Sequence, residues 1–156
     1  MSRTLSANRA LWPAVHHTPY RHLAADPAVR AVAAIGLIAV GIIHALEIQG
    51  QLDGAVWLTA GFAALTIIAP IGALWLLARP APLAWASGGL ICLSAALGYI
   101  LTRSVGLPGD PQDIGNWLEP LGLVALITEW IVVILAVLAL AGHSGASRDT
   151  LGTDNG

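Results

Sequence analysis

The chain has 156 residues, 56% of them hydrophobic and only 10% charged, with a formal net charge of −2. A water-soluble domain normally carries about 25% charged residues, so the composition excludes an ordinary soluble protein. The slightly acidic balance offers no basic face for nucleic acid.

Residues 1–28 read as a polar tail holding Arg3, Arg9, Arg21, His16, His17 and His22, broken by Pro13, Pro19 and Pro27. The histidines offer a loose metal site or, as the simpler reading, a solvated tail. A cleaved signal peptide fits poorly, because no small-x-small site follows the first apolar block, which ends in His44-Ala45-Leu46-Glu47. That block is therefore a retained span. The apolar residues form four blocks, each near the roughly 20 residues that cross a ~30 Å hydrocarbon core. The predicted spans are 31–49, 55–78, 83–102 and 120–141, within a transmembrane domain at 29–142, and residues 143–156 form a second tail. Asp26-Pro27 suits the start of the first helix. Pro70 should kink the second, and Arg79-Pro80-Ala81-Pro82 makes a rigid connector to the third. The expected fold is all-α, an integral membrane four-helix bundle.

All seven basic residues are arginines. With both termini inside, Arg3, Arg9, Arg21, Arg30, Arg79 and Arg148 lie on the cytoplasmic side and only Arg103 lies outside, so the positive-inside bias predicts an N-in/C-in topology. Trp57, Tyr99 and Trp117 then fall near outer ends and Trp75 and Trp85 near inner ends, where amphipathic rings favour the interface. The outer loops are acidic, with Asp53 in the first and Asp110 and Asp113 in the second. Gly36, Gly41, Ala60, Gly61, Ala64, Gly88, Gly89, Ser94 and Gly98 are expected to let helix backbones approach closely. Cys92, the single cysteine, excludes an intrachain disulfide, a paired-thiol redox centre and a cysteine-based zinc site, and reads as a small packing residue.

Ionisable side chains are costly in hydrocarbon and mark candidate sites. The spans hold three: His44 and Glu47, three apart on one face of the first helix, and Glu129 on the fourth. At ~1.5 Å per residue, His44 lies roughly 5–8 Å and Glu129 roughly 13 Å below the outer boundary. The outer connection 103–120 is longer than a minimal helix hairpin needs, and its Pro-Gly and Asp-Pro steps fix turns. Pro120 suits the first turn of the fourth helix, with Asn116 or Glu119 near its start. Tyr99 and Arg103, four apart, share a helix face. The loop is expected to cap the bundle, with Arg103 paired to Glu47, Asp113 or Glu119.

The stretch Gly106-Leu107-Pro108-Gly109, followed by Asp113-Ile114-Gly115-Asn116-Trp117-Leu118-Glu119-Pro120-Leu121-Gly122, resembles a segment of small, uncharacterised four-span membrane proteins of actinobacteria. As in those, a glutamate lies about ten residues after the Glu-Pro pair and a histidine late in the first span. The resemblance covers roughly residues 30–140. It implies a shared fold and a shared site, and no activity.

Alternatives stand beside each candidate. Glu129 serves either as a proton or cation site or as a carboxyl tying helices together. His44 and Glu47 are either half of a metal or proton site or polar packing near the interface, and a closed zinc site would need Glu129 or the loop as well. Arg103 also reads as a snorkelling anchor. Bis-histidine haem lacks a second histidine in a span, a Ser94–His44 protease has no supporting motif, and the two halves do not match as an inverted repeat. No cofactor is specified. The leading expectation is a non-enzymatic, multi-pass plasma-membrane protein whose outer half encloses a polar pocket for a small ligand, cation or proton. The alternatives are a structural accessory subunit of a larger membrane complex, and a metal-dependent enzyme or transporter component using His44, Glu47 and Glu129. Besides the bilayer, a further copy or another membrane subunit is the partner class.

Overall fold

The structure, a computed structural model, describes residues 22–52, 55–109, 111 and 113–152, the side chains of Gln51 and 144–152 excepted. The tail residues Arg3, Arg9, Arg21, His16 and His17 and the loop residues Asp53 and Asp110 lie outside them. Four helices follow in chain order: α1 Pro27–Gln51, α2 Val56–Ala78, α3 Pro82–Ser104 and α4 Pro120–Gly152. Each is long and apolar enough to cross a membrane. Large apolar side chains such as Ile35, Leu74, Leu90 and Ile127 are exposed on their outer faces, as a lipid-facing surface requires. A multi-pass membrane protein is the class this architecture supports.

Local chemistry explains the ends. The Asp26 carboxylate caps α1, accepting from the backbone N–H of Ala28 at 2.8 Å and of Val29 at 3.3 Å, and Pro27 occupies a first-turn position that needs no donor. Pro82 and Pro120 open α3 and α4 in the same way. Glu119 caps α4 through Leu121 N–H at 2.9 Å and Gly122 N–H. The helix α3 closes where Val105 and Gly106 both donate to Leu101 O, with Gly106 at φ 76, a left-handed position that glycine adopts without a side-chain clash. The first helix begins at Pro27, where the Asp26-Pro27 pair suits a helix start, one turn ahead of the apolar span. One boundary differs from the sequence expectation: the last helix continues past its apolar run to Gly152 rather than ending near 141.

The helices pack in cyclic order. The neighbours α1–α2 and α3–α4 form the extensive seams, α1–α4 and α2–α3 the lesser ones, and α1 meets α3 only marginally across the diagonal. Two ends can be distinguished: a connector end, at residues 79–81, and a loop end, at residues 105–119. The tightest core lies between the middle and the connector end, where Leu37, Val40, Leu76, Trp85, Cys92 and Val132 are fully buried. Arg30 binds α2 there, donating from Nε to Leu76 O at 3.3 Å and from Nη2 to Leu77 O, so its charge meets carbonyls left over at a helix C-terminus. Trp85 corrects one expectation. Its ring is not an interfacial anchor but a core residue, 1% exposed. The turn at residues 22–25 covers it, and its Nε1–H donates to Ala24 O at 3.3 Å.

Small residues act in two ways. A Cβ built on Gly36 would lie 2.6 Å from Val132, one on Gly41 2.8 Å from the Pro70 ring, and one on Gly89 2.8 Å from Ala136. These glycines bring α1 to α4, α1 to α2 and α3 to α4. Gly61 and Gly98 do not behave as expected of them: nothing lies within 4 Å of a Cβ at either position. They border open space.

Candidate functional site

That space is a cavity of about 350 Å³ at the loop end, within the ~300–1,000 Å³ range of small-molecule pockets. Its walls come from all four helices, and Leu107 of the loop reaches it. Helix α2 presents Trp57, Gly61, Leu65 and Ile68 and helix α3 Ser94, Gly98 and Thr102, residues spaced near one helical turn. Gly61 and Ser94 line the cavity and are also exposed, so it reaches the surface between α2 and α3. Most of the wall is apolar.

Five of the eight candidate site residues line the cavity: His44, Glu47, Tyr99, Arg103 and Glu129. Glu129 projects from α4, is 1% exposed, and its Oε2 has no hydrogen-bond partner among the described residues. An unpaired buried polar atom costs about 1–3 kcal/mol, and among the described residues this oxygen is the buried side-chain atom left in that state. Its neighbour Thr128 is otherwise engaged, donating to Val124 O at 2.7 Å. His44 is buried, and its Nδ1 lies 2.8 Å from Val40 O. A carbonyl only accepts, so Nδ1 carries the hydrogen in this contact; in the neutral tautomer so fixed, Nε2 is an acceptor. The ring leans on Phe62 of α2 at 5.1 Å, which fixes its plane.

The remaining candidates gather around Arg103. Its Nη1 lies 3.1 Å from Asp113 Oδ2 and its Nη2 4.0 Å from Glu119 Oε2. Its Nε donates to Asn116 O at 3.4 Å and Nη1 to Thr102 Oγ1 at 2.8 Å. The guanidinium lies 4.2 Å from the Tyr99 ring centroid, in cation–π range. Glu47 approaches the same cluster from α1, facing Glu119, Arg103 and Asp113. The loop is fastened further by Tyr99 OH to Trp117 O at 3.0 Å, Trp57 Nε1 to Pro108 O at 3.2 Å and Gly115 N to Arg103 O at 2.9 Å; Gly115 has φ +81. Asp113, Asn116 and Glu119 therefore hold the loop and neutralise Arg103, and do not themselves form the cavity wall.

Among the described residues no three His, Cys, Asp or Glu side chains converge as a metal-binding group, so His44, Glu47 and Glu129 share a cavity without forming a ligand cage. Trp57, Gly61, Phe62, Gly98 and Thr102 escaped the search for polar groups. The signal that points to them is the helical spacing of small residues, at 61 and 64 on α2 and 94, 98 and 102 on α3, all of which line the same cavity. No family model, curated protein or solved structure matches the chain.

Proposed function

We propose that this chain is a plasma-membrane protein with both termini in the cytoplasm, and that it binds a small ligand or cation, or takes up a proton, in the cavity at its outer, loop end, without catalysing a reaction. The observation that carries this reading is Glu129: a carboxyl oxygen buried without a partner among the described residues, on a residue that lines a cavity large enough for a ligand. Tying helices together, the structural role, would leave that oxygen bonded to a neighbouring helix. A partner arriving through the cavity satisfies it instead, and polar groups immersed in a bilayer are retained where they serve such a role. The arginine bias supports the orientation, and the loop motif supports kinship with the four-span actinobacterial proteins it resembles.

The test is thermal unfolding of purified protein in nanodiscs, from pH 5 to 9 and with sodium, potassium, magnesium and zinc ions, for wild type and Glu129→Gln. The substitution keeps size and polarity, so circular dichroism should be unchanged. The wild-type midpoint should respond to one of these variables and the variant should not. A variant that tracks wild type across the whole panel defeats the cation and proton forms of the reading and leaves only the small-ligand form, which a direct binding measurement decides.

A further inference from the structure

The lining of the cavity defines the chemistry of its occupant. Two residues bearing carboxyl groups line it, Glu129 and Glu47, together with His44, whose Nδ1 is already engaged by Val40 O. The single cation at its rim, Arg103, is already committed to Asp113 and Glu119. The polar surface is thus acidic and rich in acceptors. The rest is aromatic and aliphatic, with Trp57, Phe62 and Tyr99 in the walls, and aromatic faces attract cations. An anion would meet two carboxyls and no free positive charge. A purely apolar molecule would leave Glu129 Oε2 unpaired. A fully hydrated metal ion would strand the aromatic wall, and no ligand cage receives a bare one among the described residues.

An amine with an apolar body meets every condition. Its N–H groups donate to Glu129 and His44, its body covers the aromatic wall, and the pair of amine and carboxyl carries the same total charge whichever of them holds the shared proton. The opening between α2 and α3, bordered by exposed Gly61 and Ser94, faces the hydrocarbon in which such a molecule partitions.

We propose that the cavity is a binding site for lipophilic amines, held head-first at Glu129 with the apolar body between Gly61 of α2 and Gly98 of α3. This rests on the reading that the cavity takes a ligand, and it specifies the ligand's class.

The test uses three probes with one body: 4-phenylbutylamine, 4-phenylbutanol and 4-phenylbutanoate. Saturable binding to the full chain in nanodiscs is measured against empty discs. The amine should bind at least tenfold more tightly than the alcohol, and the carboxylate should not saturate. Glu129→Gln should weaken the amine at least tenfold while changing the alcohol by less than threefold. Gly98→Leu should abolish binding of both, since its side chain enters open space rather than the core. Gly61→Leu on the facing helix makes the same demand if Gly98→Leu fails to fold. If the alcohol or the carboxylate binds as well as the amine and is lost in the leucine variants, the amine class is wrong while the ligand reading survives. Absence of saturable binding, or amine binding indifferent to both Glu129→Gln and the leucine variants, overturns the proposal outright; the ion and pH panel for Glu129→Gln separately decides the cation and proton forms of the broader reading.

Discussion

The seam between α2 and α3 is closed at one end and open at the other. Toward the connector, a Cβ on Gly72 would stand 3.3 Å from Ile91 and one on Gly88 3.3 Å from Leu37, the side chain that fills the centre. Toward the loop, Gly61 and Gly98 face nothing within 4 Å. The same two helices, with the same residue type at their contact faces, thus build a packed core in one half and a void in the other. Small residues permit close approach but do not enforce it. A large neighbour such as Leu37 closes the seam, and its absence near Gly61 leaves a cavity.

Substitutions along the seams test this contrast, and the largest effect belongs to the packed part. Gly41→Leu drives a side chain into the Pro70 ring and should cost about 1–3 kcal/mol or more, read as a fall in the midpoint of thermal unfolding in detergent. Gly61→Leu and Gly98→Leu should leave that midpoint nearly unchanged, so a loss as large as that of Gly41→Leu would erase the distinction between the halves. Next comes the loop. Arg103→Ala leaves Asp113 without its ion-pair partner and removes the stacking on Tyr99. It should cost about 1 kcal/mol and accelerate hydrogen exchange in residues 105–119, whereas exchange at the connector end should not change. Glu129→Leu removes the unpaired oxygen and should stabilise the bundle by about 1 kcal/mol; a strong destabilisation would show that the carboxyl has a structural partner. A loss of similar size lies at the connector end, where Asp26→Ala removes the α1 cap and should cost about 1 kcal/mol.

Much of this architecture is legible from hydropathy and caps. The four apolar blocks, the Asp26-Pro27 start and the Glu119-Pro120 start each have a local cause, so short windows reveal them. Arg103 is legible as a partner of nearby acids because Tyr99 and Arg103 share a helix face and the loop is acidic. Trp85 is not. Its burial depends on residues 22–25 folding back over it, a long-range contact that no window spanning the ring contains. The cavity is not legible either, because Gly41 and Gly61 look alike until the side chain opposite each is known: the Pro70 ring for one, empty volume for the other. Polarity located Glu129 and His44 but gave the wrong balance for the pocket, whose surface is mainly hydrocarbon.

The proline inside α2 has a mechanical consequence. Pro70 has no N–H to donate back along the helix, so α2 bends more cheaply there than anywhere else along its length. Beneath that point Arg30 clamps the carbonyls of Leu76 and Leu77; above it residues 56–69 border the void. A pivot of 10° about Pro70 would carry Val56 about 4 Å, at ~1.5 Å of rise per residue, changing the width of the crevice without disturbing the clamped segment.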